Sequence, residues 1–144
     1  MKRYAVIDTN VLVSAFLKWD SLPGLVLQAV FDGRIVPVLN EEILEEYKVV
    51  LNRPKFGFSP ERIAETLLQI NRLCVLESDL AEIRESMPDL KDIVFYAVAL
   101  AHGKTAETHL VTGNVKHFPE TPVVVTPRQM LDLLGLGFAL KASF

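Results

Sequence analysis

Tyr4-Ala5-Val6-Ile7 is an unbroken apolar run that stops at three polar residues, Asp8-Thr9-Asn10. A run this short, without polar alternation, reads as a strand buried on both faces. Such strands belong to parallel sheets, and a parallel neighbour is reached only by a crossover connection, usually a helix. Asp8 then stands at the strand's carboxyl end, where open α/β sheets place their ligand crevices. A plainer role is equally open at this point, because Asp8 or Thr9 also suits the N-cap of the helix that follows.

The rest of the chain repeats strand and helix in turn. Val11 to Leu17 reads as a helix ended by the Trp19-Asp20-Ser21 turn, and Pro23 opens a second that runs from Leu25 to Phe31 and stops at Gly33. Ile35 to Leu39 is a second buried strand, whose Pro37 lacks an amide hydrogen and should lie near an edge or the strand's end. Asn40 caps a helix over Glu41 to Leu51, and Asn52 to Phe58 is a basic loop with two aromatics. Ser59-Pro60-Glu61 starts a helix with Ile63, Leu67, Ile70 and Leu73 as its apolar stripe. Val75-Leu76 is a brief strand, and residues 77–88 carry no clear pattern.

Asp92 to His102 is a helix apolar on nearly every side, so it needs cover from the sheet and from something else, a partner subunit being one candidate. His109 to Thr112 and Val123 to Val125 are the remaining strands. Thr126-Pro127 opens a last helix through Leu134, with Gly135 and Gly137 marking its end. Strands alternating with helices predict an α/β fold with a parallel sheet and right-handed crossovers. At 144 residues, a single domain over 1–144 is expected.

Charge narrows the function. The net charge is −3, so binding of nucleic acid must rely on local patches or bound cations. The one cysteine, Cys74, excludes an internal disulfide and a Cys-rich metal site. Met1-Lys2-Arg3 precedes too few apolar residues for a signal peptide, and no segment has the length of a membrane span, which predicts a cytoplasmic protein.

The acids then fall in a pattern. In the helix from Glu41 to Leu51, Ile43, Tyr47, Val50 and Leu51 form the buried stripe, while Glu41, Glu45 and Lys48 point to solvent. Glu46 lies at the stripe's margin, where its carboxylate can lean along the top of the sheet, and Glu42 is the second choice. A merely solvated helix face is the usual reading of such a run. In Asp89-Leu90-Lys91-Asp92, capping explains either acid, but Asp92 adjoins the apolar helix and is the better fixed. Gly113-Asn114 ends the strand from His109, presenting a carboxamide there, or making only a left-handed turn. Asp8, Glu46, Asp92 and Asn114 thus come from four segments to one sheet edge. Clustered carboxylates repel, so such a group implies a hard divalent cation; oxygen ligands favour Mg2+ or Mn2+ and suit phosphodiester hydrolysis.

With these residues in view, the chain resembles the PIN domain family along nearly its whole length. The resemblance is carried by Val6-Ile7-Asp8-Thr9-Asn10-Val11-Leu12, Glu41-Glu42-Ile43-Leu44-Glu45-Glu46-Tyr47, Asp89-Leu90-Lys91-Asp92 with Phe95, Leu110-Val111-Thr112-Gly113-Asn114, and Val125-Thr126-Pro127-Arg128. It implies a three-layer α/β/α fold with a central, mostly parallel sheet of four to five strands. It also implies metal-dependent endoribonuclease activity, and for many bacterial members a VapC-type toxin role with an antitoxin protein and a homodimer. Carried over, Asp8, Glu46 and Asp92 are the first, second and third acids and metal ligands. Thr9 is the hydroxyl that supports the first acid, and Asp89 is an accessory. Many members carry Asp where this chain has Asn114, which removes a negative charge and should weaken a second metal site more than the first.

Lys116 and His117, followed by Phe118, could meet phosphate and base of an RNA substrate, although a satisfied loop histidine is the preferred reading of His117. Arg53, Lys55, Phe56 and Phe58 form another basic and aromatic patch, read here as a loop pinned by two core phenylalanines. A rival of a different class is a PIN scaffold that binds RNA or a protein without cutting. An aspartyl-phosphate enzyme is disfavoured because Thr9-Asn10 supplies no second acid beside Asp8, and no Gly-rich phosphate loop follows any strand.

Overall fold

The computed structural model describes residues 2–135; Gly137 lies outside them. Five strands, β1 (Arg3–Ile7), β2 (Ile35–Leu39), β3 (Val75–Leu76), β4 (Thr108–Val111) and β5 (Val124–Val125), form one sheet in the order β3-β2-β1-β4-β5. Every neighbouring pair is parallel. β1 is the middle strand, and Ala5 and Val6 are wholly inaccessible to solvent, which accounts for its unbroken apolar run. Pro37 pairs with Ala5, while β3 begins to pair with β2 only at Val38. The residue without an amide therefore sits where β2 has no outer neighbour, as its chemistry requires.

Among the described residues six helices cover the sheet: α1 (Thr9–Leu17), α2 (Leu22–Phe31), α3 (Glu41–Leu51), α4 (Pro60–Leu73), α5 (Ile93–His102) and α6 (Pro127–Leu134). The connections β1 to β2 to β3 step one way across the sheet, and β3 to β4 returns the other way. Right-handed crossovers then put α5 on the face opposite α1 to α4, giving an α/β/α sandwich. The strand order reverses between β1 and β4, so the topological switch point lies at the carboxyl ends of these two strands. Asp8 follows β1 directly.

The all-round apolar helix α5 finds its cover within the chain. Phe95, Tyr96, Ala97, Val98, Ala99, Ala101 and His102 are all buried. The irregular segment 77–89 runs alongside: the Ala81 amide donates to the Ala97 carbonyl at 3.2 Å, and Ile83 and Met87 join the core. A partner subunit is not needed to explain this helix.

Candidate active site at the carboxyl end of the sheet

Asp8, Thr9, Glu46, Asp89, Asp92, Asn114 and His117 line one open cleft of about 580 Å3. Lys116 does not: it lines a separate groove with Phe118 and Pro119. Of the expected substrate-facing pair in the tight turn Val115–His117, only His117 lines the cleft and reaches an acid, Asp92. Glu42 likewise belongs to another hollow, beside Leu76 and Glu77, and Glu45 is exposed, as expected, at the cleft's rim. A cavity of similar size, about 610 Å3, lies between α3 and α4 and contains none of Asp8, Glu46 or Asp92.

Asp8 occupies the N-cap position of α1, yet its side chain makes no capping hydrogen bond. It turns instead to the next strand, where Oδ2 accepts from the Thr112 hydroxyl at 2.8 Å and from the Asn10 amide at 3.2 Å. The plainer capping role is thereby set aside. Only 5 % of Asp8 is exposed, and burial raises its carboxyl from the ordinary 3.8 to about 6. The Thr112 hydrogen bond opposes that rise, and the negative charges of Asp92 and Glu46 add to it.

Glu46 reaches the cleft because α3 is fixed at two points. Asn40 caps it by accepting from the Ile43 amide at 2.9 Å, and the buried Tyr47 phenol donates to the carbonyl of Ile7, the residue before Asp8. The Thr9 hydroxyl donates to Oε2 of Glu46. Thr9 therefore supports the second acid, not the first as the resemblance implied; the hydroxyl that serves Asp8 is Thr112.

Asp89 does cap, accepting from the Lys91 amide at 2.9 Å at the start of the turn Leu90–Asp92. Asp92, next in line, makes no capping bond and has Oδ2 3.3 Å from Nδ1 of His117. Burial raises its carboxyl, the charge of Asp89 adds to the rise, and His117 opposes it. Nε2 of the same imidazole lies 2.9 Å from Nδ2 of Asn114. With that amide donating, the ring's proton sits on Nδ1 and is directed at Asp92. The Gly113-Asn114 turn has no left-handed residue. It is held instead by the Gly113 amide donating to Oδ1 of Asn10 at 3.1 Å and the Asn114 amide donating to the Thr112 hydroxyl at 3.0 Å.

Thr112, Asn10 and Tyr47 are thus the structural partners that sequence reasoning passed over. The available signal was a run of hydroxyl and amide side chains just after two buried strands, where a polar atom has to find a partner. Arg53 and Phe56 also line the cleft, although the loop that carries them reads as merely pinned.

Among the described residues, no three His, Cys, Asp or Glu side chains stand close enough to hold a metal ion together. The donor chemistry nonetheless fits Mg2+ or Mn2+ held by few protein ligands, since Mg2+ commonly uses one or two carboxylates and fills its remaining positions with water and phosphate. Asp8 and Asp92 are oxygen donors whose shared cleft already disfavours their negative charge. Among the described residues no helix is long and apolar enough to cross a membrane. Residues 4–116 match the family model of the PIN domain. No curated protein matches the chain.

Proposed function

Because the chain belongs to the PIN domain family, whose members are generally nucleases, we propose that it is a divalent-metal-dependent endoribonuclease and the VapC-type toxin of a toxin–antitoxin pair. The observation that carries this reading is the convergence of Asp8, Glu46 and Asp92 from three separate segments on one cleft at the sheet's switch point. Each is held by a hydrogen bond that does not serve the local backbone, which is unusual for acids with only a capping or solvating role.

Asp8 and Asp92 would hold Mg2+ or Mn2+. Such an ion, when bound, lowers the pKa of a water and offsets charge on the phosphate oxygens. The chain's own groups do the rest. Thr112 and Asn10 fix the Asp8 carboxylate, and His117 fixes Asp92. Glu46, steadied by Thr9, is the general base that takes the proton from the attacking water. Arg53 and Lys91 line the cleft beside the acids and supply the local positive charge that the chain lacks in bulk.

The test is cleavage of a mixed panel of structured RNAs by purified protein with Mg2+, with Mn2+ and with chelator, with Asp8→Asn alongside. Cutting that needs the metal and is lost in the variant supports the reading. No cutting by folded protein that binds the metal refutes it. A small gene immediately upstream, whose product binds and inhibits the protein, is expected if it is a toxin, and an isolated gene argues against that role. A second reading, an RNA- or protein-binding PIN scaffold that does not cut, is favoured by the neutral Asn114 and by the absence of a close triad of metal ligands among the described residues. In that case Asp8→Asn leaves binding intact.

A further inference from the structure

Part of the cleft's wall is built by the last turn of α3 and the loop after it, which contribute Val50, Arg53 and Phe56. That loop is ordered in a way pinning alone does not require. The Phe56 amide donates to the Arg53 carbonyl at 3.1 Å, the Gly57 amide donates to the Pro54 carbonyl at 3.2 Å, and Gly57 takes a φ of 62°. This left-handed step, open to glycine at little cost, brings the rings of Phe56 and Phe58 into a parallel stack with centroids 5.2 Å apart and planes 7° from parallel.

The two rings have different duties. Phe58 is the anchor: it packs on the core and meets the buried Phe16 ring at 5.0 Å. Phe16 is itself clamped by Arg62, whose guanidinium lies 4.2 Å from the ring centroid and donates to the Phe16 carbonyl at 2.9 Å. Phe56 is not counted in the core; it stacks on the anchor and lines the cleft. A flat ring held rigid from behind, partly exposed in a cleft and flanked by cations, has the form of a platform for a planar partner. Arg53 stands beside it in the same cleft, and the Lys55 ammonium lies 5.1 Å from the Phe56 centroid. That contact is an exposed one and is weaker than stacking of a base on an aromatic ring. An incoming base displaces the ammonium, whose long stem lets it reach the adjoining phosphate.

We propose that Phe56 and Arg53 form a nucleotide subsite that stacks an unpaired base of the substrate and grips its phosphate next to Asp8, Glu46 and Asp92. The inference rests on the reading of the cleft as a ribonuclease site and assigns to it the two residues that would seat one unpaired nucleotide beside the acids. A base paired within a duplex keeps its faces stacked on its neighbours and has none free to offer to Phe56.

The experiment compares binding of a short fluorescein-labelled oligoribonucleotide of mixed sequence with binding of the same sequence closed into a hairpin duplex, by fluorescence anisotropy with chelator present. The proteins are wild type, Phe56→Leu, Phe56→Trp and Arg53→Ala; cleavage of both RNAs with Mg2+ or Mn2+ is followed in parallel. Leucine keeps apolar bulk against Phe58 while removing the flat face, so loss of folding does not mimic loss of the subsite. Phe56→Leu is expected to weaken single-strand binding about tenfold, as removal of one base stack does, and to raise KM by a similar factor. Phe56→Trp should restore both, Arg53→Ala should lower the salt dependence of binding, and the hairpin should bind weakly to every protein. Single-strand affinity within twofold of wild type in Phe56→Leu overturns the proposal, as does equal loss for hairpin and single strand, or no single-strand binding by wild type. Metal-dependent cutting that Phe56→Leu leaves untouched sinks the subsite and keeps the nuclease. Phe56-dependent binding without cutting keeps the subsite and sinks the nuclease.

Discussion

The Thr112 hydroxyl donates to Oδ2 of Asp8 across 2.8 Å, with Thr112 completely buried. It joins the carboxyl ends of β1 and β4 at the point where the strand order reverses, and it also accepts from the Asn114 amide. One hydroxyl thus sets both the first acid and the turn that carries the fourth site residue.

Replacing it tests that double duty. Thr112→Val keeps the shape but leaves Asp8 short of a donor and the Asn114 amide without its acceptor, which should cost about 1–3 kcal/mol of stability. The Asp8 carboxyl, which this bond now holds down, should rise beyond about 6, moving the acid limb of the cleavage pH profile upward. Urea denaturation and a pH–rate profile measure the two effects, and Thr112→Ser should largely restore both. An unmoved acid limb would mean that the bond does not tune Asp8.

Asp8 also gives a pH-dependent stability of defined sign. Its carboxyl is raised from 3.8 to about 6 on folding, so the native state holds the proton more tightly than the unfolded chain. The stability linked to that proton is fully present below pH 3.8 and is lost as the pH rises through about 6. At pH 8 with chelator, Asp8→Asn should therefore be more stable than wild type by about 2–3 kcal/mol. At pH 3 the gap should close. Added Mg2+ should raise the Tm of the wild type and not of the variant. Thermal melts at the two pH values decide; a variant less stable than wild type at pH 8 refutes the account.

Much of this was legible in the sequence because it follows from burial and period. The continuous apolar run of β1 announced a central parallel strand, and Asn40, Ser59 and Thr126 announced helix starts that their side chains do cap. Strand and helix ends moved by only one or two residues: β4 begins at Thr108, and α1 at Thr9. What stayed hidden depends on contacts between segments far apart in the chain. From the sequence Thr9, adjoining Asp8, is the expected support and nothing marks the distant Thr112; only the packing of α3 on β1, fastened by Tyr47 to Ile7, gives Thr9 to Glu46. The cover of α5 by residues 77–89 was invisible for a related reason. That segment has no regular element, so no periodicity records which of its side chains face inward.

The bond from Thr9 to Glu46 separates position from fold. Thr9 is 6 % exposed and its neighbours are fixed by the start of α1, so Thr9→Val should fold normally. It frees the Glu46 carboxylate to rotate toward solvent, and kcat should fall about tenfold or more if Glu46 is the general base. Thr9→Ser should recover most of the rate. The discriminating readout is kcat against KM: a base that has lost its aim lowers kcat, whereas a general loosening of the cleft raises KM as well.

Asn114→Asp asks why this chain carries an amide among carboxylates. Nδ2 of Asn114 faces Nε2 of His117, whose other nitrogen faces Asp92. A carboxylate at 114 has no proton to give, so the bond that Asn114 now donates to His117 is lost. The new negative charge also joins a cleft that already contains Asp8, Glu46 and Asp92. Divalent ions respond to ligand charge, so Mn2+ should bind the variant about tenfold more tightly. Stability without metal should fall, because another carboxylate has been added to an already repulsive group. Calorimetric titration with Mn2+ and a melt in chelator read the two effects separately. Tighter binding with faster cutting would mean that Asn114 restrains the enzyme. Unchanged affinity would put position 114 outside the metal's reach and leave it the role of holding His117 against Asp92.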